Sequence, residues 1–291
     1  MKFLITGANG QLGYDLRRVI PEKHKILGFS KSELDITDFD KVRKILKDVK
    51  PDVVINCASY NNVDEAEDKV EEAFRVNAYA VKVMAETCSE IKSLFVNIST
   101  DYVFDGKKNK PYEEKDEPNP LSSYGLSKLL GEMFTKRCDR FILVRSPGLY
   151  GIWGSRISGR SYRNFPERVI ENLKSGVQMR VVVDRISAPV YTYELAQKIY
   201  EVIEKGIYGL LHIGQKGEIS WFDFASKIAD ILNLDKKLLV PVKGEELNSK
   251  AMRPSYSVLR NTVLEENGID DLSDIETALK KYIKERAEKF V

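Results

Sequence analysis

Tyr124-Gly125-Leu126-Ser127-Lys128 sets a phenol and an ammonium four residues apart. In a helix that spacing puts both groups on one face. Free tyrosine, with a pKa of about 10, is a poor source of a readily exchanged proton at neutral pH. A neighbouring cation favours the phenolate and eases the transfer. Ketone reduction needs this device, because a hydride arrives at carbon while a proton must reach oxygen. Of the 14 tyrosines, only Tyr124 has a lysine four residues on. A plain surface pair is the alternative. Ser99-Thr100-Asp101 closes an apolar run, and Thr100 is a third catalytic candidate, its hydroxyl placed to hold the substrate oxygen. A strand-end turn satisfied by Ser and Asp side chains is the simpler reading.

Near the start, Gly7-Ala8-Asn9-Gly10-Gln11-Leu12-Gly13 places three glycines between an apolar run and a helical pattern. Glycines there allow a tight turn and close backbone approach, and a helix N-terminus offers free N–H groups to a pyrophosphate. The spacing fits a dinucleotide loop; a glycine-rich turn that binds nothing is the alternative. The cofactor ribose would meet Ser30 and Lys31 after the second strand. No acidic residue occupies that strand end, and a hydroxyl with a cation suits a 2′-phosphate, which favours NADPH and leaves NADH open. Asp35 and Ile36 are placed to hold the adenine, with an N-cap role equally open for Asp35. Cys57, Ala58, Ser59 and Asn61 follow the third strand where the nicotinamide half must pass, and Ser99 joins these cofactor contacts. Cys57 reads as a small buried filler rather than a reactive thiol. Thr100, Asp101, Asn164 and Arg253 are the substrate candidates.

The elements that must position these groups alternate in the first half. Strands are expected at Lys2–Thr6, Lys25–Phe29, Val53–Asn56, Leu94–Ser99 and Phe141–Arg145. Helices are expected near Gly13–Val19, Phe39–Lys47, Val63–Glu90 and Tyr124–Arg137. Continuous apolar strands separated by helices predict an α/β fold, a Rossmann-type doubly wound parallel sheet covered on both faces. Ligands on such sheets bind beyond the carboxyl ends of the strands, where the residues above fall. After residue 148 the rhythm changes. A loop at Gly151–Arg163 leads to a helix at Phe165–Lys174, a strand at Val181–Asp184, a helix at Glu194–Lys205 and a strand at Gly209–Ile213. Helices at Ser220–Leu232, with Ser220 as N-cap, and at Asp274–Phe290 follow. Residues 1–150 with about 181–205 are expected to form the dinucleotide domain, and about 151–180 with 206–291 a smaller, interleaved substrate lobe.

Composition narrows the chemistry. The balance of 46 basic and 44 acidic residues gives no reason to expect nucleic acid or an anionic membrane as partner. Three cysteines without C-x-x-C spacing argue against a disulfide framework or a zinc site. Two histidines make a His-based metal centre or a Ser-His-Asp triad unfavourable. With no membrane-length apolar run and an apolar strand directly after Met1, a cytoplasmic location is expected.

Together these segments resemble the extended short-chain dehydrogenase/reductase superfamily, and within it the dTDP-4-dehydrorhamnose reductase family. The resemblance runs through most of the chain. It includes Gly7–Gly13, Leu34–Asp38, Pro51–Asn56, Val76-Asn77, Asn97–Gly106, Tyr124–Glu132 and Arg253-Pro254, with N-I-S-T-D-Y-V-F-D-G the most specific run. It implies hydride transfer from NAD(P)H to C4 of a dTDP-linked 6-deoxy-4-hexulose. Tyr124 would be the acid, Lys128 its electrostatic partner and Thr100 an oxygen ligand. Sugar-nucleotide dehydratases of the superfamily carry Asp-Glu after the catalytic Thr, whereas Asp101 here precedes Tyr102.

Three positions depart from the reductase pattern: Asn61 and Val190 each replace a common Thr, and Gly148 stands where a sugar-site Trp is expected. Trp153 is a nearby candidate to take its place. Arg156, Arg160 and Arg163 form a basic loop suited to a diphosphate, and Arg253 is a second candidate for that contact. Relatives that dimerise around Mg²⁺ use carboxylates with no secure match here, so no metal is expected, and a monomer or homodimer is. Two other readings stay open: a reductase or epimerase for another nucleotide-sugar, and a non-catalytic NADP-holding subunit like the regulatory subunit of methionine adenosyltransferase.

Overall fold

The computed structural model describes residues 1–153 and 164–289. Its centre is a six-stranded parallel sheet. Five strands are β1 (Lys2–Thr6), β2 (Lys25–Phe29), β3 (Val53–Asn56), β4 (Leu94–Thr100) and β5 (Phe141–Ser146). The sixth is Gly209–His212, and the spatial order is that strand, then β5, β4, β3, β1 and β2. Sequence order reverses between β1 and β3, so the crevice at their carboxyl ends is the ligand position such a sheet provides.

Alternation along each strand explains why the sheet is covered twice. Phe3, Ile5, Val53, Ile55, Val96 and Ile98 pack with α1 (Gln11–Val19) and with the helix Thr192–Lys205. The intervening Leu4, Val54 and Phe95 pack against α2 (Phe39–Val49) on the opposite face. A third cluster, rich in aromatic residues such as Phe104, Tyr150, Phe224 and Tyr282, lies at the carboxyl side of the sheet. It draws on the helices Phe165–Lys174, Trp221–Ile231 and Ile275–Lys289. Among the described residues no helix is long and apolar enough to cross a membrane.

Several sequence expectations need correction. Gly209–His212, grouped above with the substrate lobe, pairs in parallel with β5 and extends the central sheet. The single helix expected over Val63–Glu90 is broken into α3 (Glu65–Asp68), α4 (Val70–Phe74), a π-helical turn (Arg75–Tyr79) and α5 (Ala80–Glu90). The wider turn presents Asn77 to the loop after β3. Its Oδ1 accepts from Ser59 Oγ and Tyr60 N, at 3.1 and 2.9 Å, while Nδ2 donates to Tyr60 O and Ser127 Oγ, at 3.1 and 3.0 Å. Such irregular turns occur where a helix serves a site rather than its own ladder. Asp35 caps no helix either. It accepts from Thr37 N and Oγ1, and the N-cap of α2 is Asp38.

The helix carrying Tyr124 and Lys128 is α6 (Ser123–Thr135), N-capped by Ser122 Oγ on Gly125 N. A buried ion pair fixes it to the sheet. Glu132, 1% exposed, receives Nε and Nη2 of Arg145 from β5 at 2.9 and 2.7 Å, and Ser99 Oγ from β4 at 2.5 Å. Removing one member of a buried pair leaves the other charged and without compensation, which costs about 3–5 kcal/mol. Glu132→Ala is therefore expected to lower unfolding stability by about that amount in urea titrations. A loss under about 1 kcal/mol would mean the pair does not anchor the helix.

Candidate active site

The carboxyl ends of β1, β3, β4 and β5 open into one cleft of about 350 Å³. Gly10, Gln11, Leu12 and Gly13 line it, as do Cys57, Ala58, Ser59 and Asn61. Ser99, Thr100, Asp101, Tyr124, Lys128 and Asn164 complete the sequence-predicted residues that meet there. Gly7, Asn9, Ser30, Lys31, Asp35, Ile36 and Arg253 lie outside this cleft.

The first glycine is a steric requirement. Gly7 has φ +64, and a Cβ there would stand 2.7 Å from Ala58 N. Only glycine lets the loop lie this close to the chain after β3. Gly10 is the N-cap of α1 and makes no side-chain cap bond, so the first-turn amides remain for an external acceptor. The Gln11 side chain is engaged within the protein, while its backbone stays in the first turn of α1. Its Oε1 accepts from Gly151 N at 2.6 Å and from Asn164 Nδ2 at 2.8 Å, tethering the glycine loop to the start of Phe165–Lys174. Asn164 also N-caps that helix through Glu167 N, which engages most of its amide before any substrate arrives.

At the end of β2 the structure supplies what the sequence reading missed. Glu33 folds back so that Oε2 accepts from Ser30 N and Oγ, at 2.8 and 2.6 Å. A carboxylate therefore does stand at the end of β2, three residues beyond Ser30. These hydrogen bonds from Ser30 hold Glu33 below the usual carboxylate range. Lys31 is exposed and lies 4.0 Å from Asp35.

Lys128 sits under the cleft floor, 6% exposed, and donates from Nζ to Ile98 O at 2.6 Å. Burial pushes its pKa down to about 8, opposed by the charge of Glu132 one turn further on. It stays largely protonated at neutral pH. Tyr124, 9% exposed, has its ring edge-on to Tyr102 at 6.0 Å. Thr100 Oγ1 donates to Asp101 Oδ1 at 3.1 Å and accepts from Tyr102 N at 3.2 Å. Asp101 is 2% exposed, and burial raises it to about 6, resisted by the Ser257 hydroxyl at 2.6 Å. Burial pushes the Cys57 thiol up to about 12, so it stays protonated and inert.

The cleft's aromatic wall comes from elsewhere than expected. Trp153 stacks on Tyr14, centroids 4.3 Å apart, and does not line the cleft. Trp221 does, and a Cβ on Gly148 would lie 3.0 Å from its indole edge. Arg253 is held by Asp64, at 2.6 and 3.0 Å, behind the cleft wall that Pro254 forms. Arg185 lines the cleft and was not among the sequence candidates. Arg156, Arg160 and Arg163 lie outside the described residues.

The depressed lysine has a thermodynamic consequence. From pH about 8 up to its ordinary value of 10.5, the unfolded chain keeps a proton that the folded chain has released. Folding is then increasingly favoured as pH rises through that window. Denaturant unfolding at about pH 7.5 and about pH 9.5 should show wild type gaining stability relative to Lys128→Met. A difference that does not change with pH would rule out a depressed Lys128.

The family model described as RmlD substrate binding domain matches residues 1–288. The spore coat polysaccharide biosynthesis protein SpsK of Bacillus subtilis (strain 168) is 34% identical, over 98% of each chain. The solved dTDP-4-dehydrorhamnose reductase of Clostridium acetobutylicum ATCC 824 superposes with a TM-score of 0.91 at 38% identity, covering 98% of this chain and 99% of that one. That of Bacillus anthracis str. Ames, solved in complex with NADP, gives 0.91 at 34% with the same coverage. A glycine loop, a Tyr-Lys helix face and a strand-end Thr on one cleft accord with this likeness over the full length, and the chain belongs to the RmlD family, the dTDP-4-dehydrorhamnose reductase group of extended short-chain dehydrogenases/reductases.

Proposed function

We propose that this chain is an NAD(P)H-dependent reductase acting on the C4 ketone of a nucleotide-linked deoxy-sugar, the dTDP-4-dehydrorhamnose to dTDP-L-rhamnose step. One observation carries the reading. Tyr124 and Lys128, on one helix, border the same cleft as the free first-turn amides of α1 and the hydroxyl of Thr100. Relatives named for this reaction, in Aggregatibacter actinomycetemcomitans and Burkholderia thailandensis among others, support it. A cytoplasmic setting and a monomeric or homodimeric state belong to the same reading.

The residues present fit a dinucleotide. The α1 amides and Gly7 would cradle its pyrophosphate, and Ser30 and Lys31 would meet its ribose. When bound, the nicotinamide supplies a hydride to the ketone carbon. The Tyr124 hydroxyl delivers a proton to the oxygen as negative charge develops there. The Thr100 hydroxyl, turned from Asp101 Oδ1 to the substrate, would donate to that oxygen and hold it against drift. Lys128 is anchored on Ile98 O and still charged at pH 7; it stabilises the phenolate that Tyr124 leaves behind. Oδ2 of Asp101 is engaged by Ser257 and Ser187, and Oδ1 accepts from Thr100.

Removal of a positioned proton donor costs about 10²–10⁴ in rate. Tyr124→Phe should lose that much kcat on the dTDP-keto-sugar while binding NADPH as wild type does, measured by NADPH oxidation and by cofactor titration. Equal turnover would remove Tyr124 from the chemistry.

Cofactor choice turns on Glu33. NADPH fits Ser30 and Lys31 once Glu33 releases Ser30, whereas Glu33 in its observed place would accept the 2′-hydroxyl of NADH. The NADP complex of the Bacillus anthracis protein favours NADPH. Lys31→Ala should weaken NADPH more than NADH, and Glu33→Gln should shift the ratio the other way. If neither substitution changes the ratio of the two dissociation constants, this assignment of the ribose site fails.

A further inference from the structure

Resting on the nucleotide-sugar reading, we propose that Arg185 is the cleft's anchor for the substrate diphosphate and that Gly244 holds it ready. Residues 185–187 run beside 255–257 as a paired ledge. Ile186 N donates to Ser255 O at 2.7 Å, and Ser257 N donates to Ile186 O at 2.9 Å. Asp101 clamps this ledge to the end of β4 by accepting from Ser257 Oγ at 2.6 Å and Ser187 Oγ at 3.5 Å. The backbone that carries Arg185 is therefore tied to the strand end that carries Thr100.

The surroundings leave that guanidinium with donors to give. Its hydrogen bond is a long one, Nη2 to Gly244 O at 3.4 Å. The carboxylates nearby are already engaged. Asp64 takes Arg253 and Ala251 N, and both oxygens of Asp184 accept from Gly244 N at 2.9 and 3.1 Å. Among the described residues no carboxylate pairs with Arg185, and the charge of Arg253 combines with burial to lower its pKa. A half-buried cation beside a like charge, with open N–H groups facing a cleft, is stabilised by an anion entering from that side.

Gly244 explains why the fork lies where it does. A Cβ at that position would come within 2.8 Å of Nη2 and 2.9 Å of Nε, so any other residue displaces the guanidinium. The cleft also sets the ligand. The α1 amides already suit one pyrophosphate, that of the dinucleotide, and Arg185 is on a different element. Tyr102 lines the same cleft as Arg185, and its ring packs edge-on against Tyr124 at 6.0 Å. A sugar carbonyl at Tyr124 and a diphosphate at Arg185 would share one cleft, and the planar fork matches two phosphate oxygens.

The test is calorimetric titration of the NADPH-loaded wild type, Arg185→Ala, Arg185→Lys and Gly244→Ala with dTDP and with thymidine. Arg185→Ala should weaken dTDP by about tenfold or more, the scale of a charge-assisted hydrogen bond, and leave thymidine unchanged. Arg185→Lys, which keeps the charge without the fork, and Gly244→Ala, which displaces it, should each fall between. In turnover of the dTDP-keto-sugar, KM should rise far more than kcat falls. Unchanged dTDP affinity in Arg185→Ala overturns the anchor alone, as does an equal loss for thymidine, which would mark a structural role. If wild type binds NADPH but neither dTDP nor the keto-sugar, the functional reading falls and the anchor falls with it.

Discussion

A single positive charge must survive inside a nearly dry strand end, and much of the site's architecture follows from that demand. Lys128 loses most of its hydration where α6 crosses β4, and burial disfavours its charged form. Ile98 O accepts a hydrogen bond from its Nζ, and Glu132 supplies the opposing field one helical turn away. Glu132 in turn would be an expensive buried anion without Arg145 and Ser99. Arg145 then has to coexist with His212, whose pKa is pushed down to about 3 by burial and by that arginine. His212 is thus neutral at any pH the protein meets, and the buried series carries plus, minus, plus without a further cation. The same bonds that tune Lys128 fasten α6 to β4 and β5, so electrostatics and position are set together.

Legibility from sequence followed the range of the interactions. Strands buried on both faces must be apolar throughout, and β1, β2 and β3 fall on the expected residues because nothing distant decides them. Tyr124 and Lys128 were readable because the helix itself fixes their relation. The π turn at Arg75–Tyr79 was not, since it exists to bring Asn77 against Ser59, Tyr60 and Ser127 across the fold. Glu33 was missed for a smaller reason: the turn after β2 folds a residue three positions on back to Ser30. Arg185 had no local signature at all. Its importance comes from Gly244, Arg253 and Asp64, which approach it only in the folded chain.

Aromatic residues show the same limit. Proximity in sequence favoured Trp153 as the replacement for the side chain missing at Gly148, yet Trp153 is occupied by Tyr14. Trp221 comes from a helix more than seventy residues later and reaches the wall because Gly148 has no Cβ to exclude it. Phe165 meets it edge-on at 4.7 Å, and Phe224 lies at 6.2 Å, so the indole is held by its own cluster. The flat surface on this cleft wall is therefore a property of a pair, a bulky ring and an absent side chain. Neither position can be interpreted without the other.

Asp101 joins these parts. A carboxylate with 2% exposure needs strong reasons to stay ionised, and it finds them in hydroxyls from Ser257 and Ser187, on two segments remote from β4 in sequence. Those bonds stabilise the charge and fix the ledge bearing Arg185 to the strand end bearing Thr100. Gln11 makes a comparable connection at the other side, joining the glycine loop to Gly151 and Asn164. Two polar side chains, each buried or half-buried, thus hold the glycine-loop side and the Arg185 side of the cleft in one register. Hydride transfer tolerates little error in distance or angle, and a register fixed before ligands arrive removes part of the entropic cost of alignment.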